Sequence, residues 1–174
     1  MKSKQQSINI TSSMAANKKD KKTAMWVCFL AYLLLLGYIV FFSSGFGREE
    51  HAEYRYNFTL FQEIGRYYGI GIRTGMWKLF WMNVIGNVCV FIPFGIFVPV
   101  IFTKYQRWST VLLASLELSL VVEVIQLSTK VGSFDVDDLL LNTLGGILGY
   151  VIYKAINFLK EKRKIQNEKK TRFL

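Results

Sequence analysis

The stretch MWKLFWMNVIGNVCVFIPFGIFVPVIF, residues 76 to 102, decides the fold. Its one charged side chain, Lys78, lies near its start, and apolar residues fall on every side of the helix it would form. A bilayer core about 30 Å thick needs roughly 20 such residues, whereas a helix on the surface of a soluble protein needs only one apolar stripe. This stretch therefore reads as a membrane span.

Three similar blocks flank it: about residues 25–46, 108–127 and 136–159. A charged tail of more than twenty residues precedes the first. Its apolar core is long for a signal peptide and Ser43-Ser44-Gly45 is a weak cleavage site, so an uncleaved span is expected. The fold class is thus an all-α membrane protein, a four-transmembrane-helix bundle. Residues 1–24 and 160–174 are expected to be flexible or basic cytoplasmic tails around a single domain, 25–159.

The chain has 174 residues, 52% of them apolar, and a formal charge of +10. Its basic residues crowd the ends. Lys2, Lys4, Lys18, Lys19, Lys21 and Lys22 come first, Lys104 and Arg107 sit between the second and third blocks, and Lys160, Lys162, Arg163, Lys164, Lys169, Lys170 and Arg172 come last. With four crossings these segments share one side, and the positive-inside rule makes that side the cytoplasm. Both termini are expected inside, in the plasma membrane of a bacterium. The opposite loop, about 47–75, balances arginine against glutamate. Charge confined to the flanks of apolar blocks argues against a nucleic-acid partner.

His51 is the chain's one histidine, and Cys28 and Cys89 lie within apolar blocks. No Ser–His pair, HExxH zinc motif or Lys/Arg/His set suited to phosphate chemistry is present. Pro93 and Pro99 fall in the second block, where a kink is expected, with a broken or re-entrant helix as the alternative.

The informative residues are those that cost energy in lipid. Asn83 and Asn87 stand four apart. Ser115, Ser119, Glu123 and Gln126 follow at four, four and three, and Asp138, Asn142, Gly145 and Gly149 at four, three and four. Each set shares one helix face. Asp135 and Asp137 precede the last set. Turning these stripes toward one another, near the outer surface, would keep them from lipid, and Gly145 and Gly149 would let a neighbouring backbone approach. Interhelical hydrogen bonding accounts for the amides and serines; acids within a membrane point more strongly to a functional site. Glu117 lies nearly opposite its helix's polar face and needs a neighbour of its own or a wet boundary.

These residues carry a resemblance. Residues 54–153 resemble the VanZ-like family of small bacterial membrane proteins, named for a member associated with teicoplanin resistance. Asn57-Phe58-Thr59-Leu60-Phe61 is similar to the family's Asn-x-x-Pro-Phe segment. Residues 83–95 are similar to its Asn-Val-x-x-Phe-x-Pro-x-Gly motif, and Glu123-Val124-Ile125-Gln126 to its Glu-x-x-Gln. Ser133-Phe134-Asp135-Val136-Asp137-Asp138, running into Asn142-Thr143-Leu144-Gly145-Gly146 and Gly149, is the most specific piece. Leu60 replaces a frequent proline. Gly132 stands near where many members carry arginine, with Lys130 as the nearest base.

The resemblance implies a protein that lowers susceptibility to teicoplanin-type glycopeptides. A non-enzymatic action is expected, through a polar cluster of Asn83, Asn87, Glu123, Gln126, Asp135, Asp137, Asp138 and Asn142 facing a membrane lipid or lipid-linked cell-wall precursor. The alternative is an enzyme modifying such a head group with a carboxylate site. No cofactor is expected; Asp135, Asp137 and Asp138 would be the ligands of any divalent cation, a hard ion suited to carboxylates. A transporter would need a homo-oligomer, because four helices leave no room for a repeat pair.

Overall fold

The computed structural model describes residues 2–42, 54–103 and 106–172. It is a helical bundle. Helix α1 runs over Lys2–Phe42. A short strand, β1 (Tyr56–Asn57), leads to α2 (Gln62–Thr74). Helix α3 (Trp77–Phe80) passes through a π-turn, Trp81–Ile85, into α4 (Gly86–Ile101). Then come α5 (Trp108–Thr129), β2 (Phe134–Asp135) and α6 (Val136–Arg172).

Four helical stretches are long and apolar enough to cross a bilayer: Asp20–Val40, Trp77–Ile101, Trp108–Thr129 and Val136–Lys169. They match the expected blocks in number and order. The second is continuous, so the broken-helix alternative does not hold: α4 carries both Pro93 and Pro99 inside it. Near Pro93, which lacks a backbone donor, the Tyr32 hydroxyl donates to the Val90 carbonyl at 3.0 Å and ties α1 to this part of α4.

Hydropathy marks the tails off, but the helices do not stop where it falls. Residues 2–24 and 160–172 continue α1 and α6, because a helix bonds its own backbone whether its surface meets lipid or water. The last residues of the expected first span (43–46), His51 and Lys104 lie outside the described residues.

α4 packs most extensively against α6, and glycine explains how closely. A Cβ on Gly95 would lie 1.9 Å from the Gly146 carbonyl oxygen; one on Gly145 would lie 2.2 Å from Val88 O, and one on Gly149 2.1 Å from Ile92 O. Lipid supplies no hydrophobic drive between helices, so this backbone-to-backbone fit supplies the van der Waals contact. Apolar clusters fill the remainder. Phe29, Phe94, Val98, Ile101 and Val111 form one, and Leu36, Val40, Phe91 and Val122 the other.

The connections sort into two ends. At one, the Trp26 ring meets Phe102 edge-on and the Tyr150 hydroxyl donates to Gln106 O at 2.9 Å. At the other, Gln126 meets Val40 and β1 pairs with β2 in parallel, Tyr56 opposite Phe134 and Asn57 opposite Asp135. The segment read from sequence as a plain loop thus holds a strand and a 13-residue helix. The reason is local. Ile64, Tyr67, Ile70 and Gly71 turn at least partly inward while Gln62, Arg66 and Arg73 face out, a helical period diluted by charge. Trp77 stacks over Gly71, where a Cβ would come within 2.8 Å of the indole. Gly75 closes α2 at φ 73°, its N–H donating to Gly71 O at 2.9 Å.

Candidate functional site

The end that carries the β-pair also gathers most of the polar residues from the spans. Asp137, at the start of α6, points away from its own helix and toward α2. Phe61, at the N-terminal boundary of α2, has φ 64° and brings no capping side chain. The cap comes from elsewhere in the chain: the two Asp137 oxygens accept from the backbone N–H groups of Phe61, of Glu63 (2.9 Å) and of Ile64 (3.2 Å). A carboxylate against the first-turn amides also meets the positive end of the helix dipole. Asp137 is fully buried in this position.

Asp135 links three elements. Its side chain accepts from the Asp137 N–H at 2.8 Å and from the Asn57 amide at 3.2 Å, and its own N–H donates to Glu123 Oε2 at 2.9 Å. Asn57 in turn receives the Thr59 N–H at 2.9 Å and so turns the chain toward α2. Burial pushes the Asp135 carboxyl above its ordinary range, with the hydrogen bonds from Asp137 and Asn57 working in the opposite direction.

One turn into α6, Asn87 on α4 donates to the Asp138 carboxylate. One turn further, Asn142 donates to Ser119 Oγ on α5 at 2.9 Å. Asn87, Glu123 and Asn142 share the wall of a small cavity with Ile39, Val40, Val90, Phe91 and Val122. It measures about 10 Å³, at the lower edge of what one water needs.

Two of the expected residues stand apart from this network. Asn83 donates to Leu79 O on its own helix at 2.9 Å, inside the widened π-turn, instead of crossing to a neighbour. Gln126 is fully buried and donates to Val40 O on α1 at 3.3 Å, while its Oε1 has no hydrogen-bond partner among the described residues. Asn83 thus serves its own turn and Gln126 the α1–α5 contact. Among the described residues no three His, Cys, Asp or Glu side chains converge as a metal cage would. The three aspartates at the α6 start point to different partners.

Sequence reasoning by span missed two participants. Asn57 and the α2 amides lie outside the apolar blocks, so a search for polar residues within spans does not reach them. The signal was the short motif around Asn57 standing far from, yet in order with, the aspartate run. Lys130, the basic residue nearest the position where many VanZ-like members carry arginine, has its ammonium 4.9 Å from the centre of the Tyr54 ring.

Comparison with known proteins gives a consistent assignment. The profile of the family described as VanZ/LLP1 matches residues 29–158, well over half of the chain. Protein VanZ from Enterococcus faecium is 37% identical over 86 residues, covering 48% of this chain and 51% of that protein. The chain thus spans about half the length of that curated relative. No solved structure matches it.

Proposed function

The chain belongs to the VanZ/LLP1 family, and from that premise we propose that it lowers susceptibility to teicoplanin-type glycopeptides by a non-enzymatic action at the outer leaflet. In this reading the protein spans the plasma membrane of a bacterium with both termini inside. The basic flanks support that orientation: the N-terminal lysines, Arg107 and the C-terminal basic run lie on the segments that belong to one end. The β-paired end then faces out.

One observation carries the non-enzymatic reading. Asp135, Asp137 and Glu123 accept hydrogen bonds from backbone amides or an Asn side chain: Asp135 and Asp137 hold Asn57 and the start of α2 to the start of α6, and Glu123 holds β2 to α5. A general acid or nucleophile needs room for a substrate atom within hydrogen-bond reach, and these carboxylates are occupied by the fold. What they build is a surface at headgroup depth, with Tyr56, Phe58, Leu60, Phe61, Tyr68 and Ile72 exposed. Aromatic and aliphatic side chains at that depth suit a lipid-tailed antibiotic, a membrane lipid or a lipid-linked wall precursor.

The second reading, an enzyme that modifies a head group, draws on Glu123 facing the cavity with Asn87 and Asn142. The two are separated by expressing wild type, Asp138→Ala and Glu123→Gln at equal membrane levels in a susceptible Gram-positive host. Wild type is expected to raise the inhibitory concentration of teicoplanin more than that of vancomycin, and Asp138→Ala to lose the gain. If neither drug's potency moves with wild type, the resistance reading fails. A lipid or precursor of new mass in wild-type cells, absent with Glu123→Gln, would replace the non-enzymatic reading with the enzymatic one.

A further inference from the structure

Both ends of α2 are tied to the starts of spans. Its first turn is held by Asp137 at the start of α6, and its last turn meets the Trp77 ring, which lies over Gly71 where the second span begins. Spans two and four run the same way through the bundle, so their starts share one depth. A 13-residue helix, about 20 Å long, fixed there at both ends lies across the end of the bundle, parallel to the membrane plane. Its sides divide three ways. Ile64, Tyr67 and Gly71 turn inward. Phe61, Gly65, Tyr68 and Ile72, at spacings of four, three and four, form an exposed apolar stripe. Gln62, Arg66 and Arg73 form a second exposed stripe, one position and so about 100° further round. The apolar stripe does not end with α2. The Tyr68 ring meets Trp77 and Phe80 edge-on, with centres 5.7 and 6.1 Å apart, and Phe80 meets Trp81 in the same way at 5.8 Å. Trp81 is exposed on the side of a span, where acyl chains lie. Tyrosine and tryptophan gather at headgroup level.

We propose that α2 lies in the bilayer interface, with the Phe61–Tyr68–Ile72 stripe among phospholipid acyl chains and Arg66 and Arg73 among the headgroups. Two adjoining exposed stripes, one apolar and one basic, need hydrocarbon on one side and water or phosphate on the next. The boundary of a bilayer supplies both at once. A protein seated on the apolar stripe would also have to displace lipid along Trp81, with which the stripe is continuous. Arg66 is paired with Glu63, so Arg73 brings the net positive charge of α2. Gly69 O accepts the Arg73 Nε–H at 3.1 Å and holds the guanidinium against the helix, on an exposed side chain suited to phosphate oxygens. The placement follows from the bundle end itself, so it holds whichever way the chain is inserted and whether or not the resistance reading does.

The test uses the full chain in phosphatidylcholine–phosphatidylglycerol liposomes, in a Cys28→Ser, Cys89→Ser background. A nitroxide is attached in turn at Gly65→Cys and Ile72→Cys on the apolar stripe, and at Gln62→Cys and Arg66→Cys on the polar one. Nothing lies within 4 Å of a Cβ added at Gly65, and Ile72 is exposed, so these labels leave the packing intact; circular dichroism checks that each chain keeps its helices. Collision with oxygen, which concentrates among acyl chains, is compared with collision with a water-soluble nickel chelate. The ratio of oxygen to chelate is expected to be about threefold or more higher at positions 65 and 72 than at 62 and 66. A ratio at 65 and 72 no higher than at 62 and 66 overturns the proposal, whether α2 then lies wholly in water or wholly in hydrocarbon. Shielding of 65 and 72 from both reagents means that a second copy covers the stripe, and overturns it as well. No outcome here moves the antibiotic measurement, so the two readings fail separately.

Discussion

Glu117 and Glu123 are the same residue on the same helix, less than two turns apart, with opposite surroundings. Glu123 is 1% exposed and receives the Asp135 N–H; Glu117 faces outward. Helical spacing alone separates them, since one lies with Ser115 and Ser119 and the other nearly opposite. Spacing does not say which backbone amide an acid will serve. That is why Asp137 was legible as a costly residue but not as the cap of another helix. Replacing it with alanine takes the acceptor from three amides, Phe61 at the cap of α2 and Glu63 and Ile64 in its first turn, a loss of about 1–3 kcal/mol to the docking of that helix. Hydrogen exchange followed by mass spectrometry is expected to show faster exchange at residues 61–64 in Asp137→Ala, with the spans unchanged. Asp137→Asn, which keeps one acceptor oxygen, should fall between. Equal protection in all three proteins would remove Asp137 from this role.

The four blocks of apolar residues identified the spans because bilayer thickness sets a length that composition meets or misses. The contact between α4 and α6 is half visible in the sequence: Gly145 and Gly149 mark one side, while Gly95 on the other stands out only as the end of a motif and not as a packing position, since one glycine beside two prolines reads as a local feature of its own helix. The contact makes a sharp prediction. Gly95→Ala puts a methyl against the Gly146 backbone, which cannot swing aside, so α4 and α6 must separate at a cost of about 1–3 kcal/mol. Thermal unfolding in detergent is expected to show a lowered midpoint. Gly65→Ala, on α2 with nothing within 4 Å of the new methyl, serves as the control and should leave the midpoint unchanged or slightly raised. Helix α2 itself was missed because a hydropathy window long enough to find spans averages away a 13-residue helix with arginines on it.

At the scale of the molecule, parity of crossings and the bias of basic residues gave two ends before the structure did, and the contacts of Trp26 with Phe102 and of β1 with β2 fall at opposite ends accordingly. Which end faces the cytoplasm is a matter of the proposed topology, and it can be read chemically. In a background lacking Cys28 and Cys89, an impermeant maleimide applied to intact cells is expected to label Thr74→Cys and to spare Thr171→Cys until the cells are opened. The reverse pattern would invert the assignment.

The cap on α2 bears on how the protein is made. Phe61 and Asp137 are 76 positions apart, and α4, α5 and the start of α6 must be synthesised before the two can meet. During that interval the first turn of α2 is without the Asp137 cap. A chain cut short before residue 137 never closes it, so the unsealed helix itself distinguishes unfinished copies from complete ones and is the kind of loosely tied segment at which proteolysis concentrates.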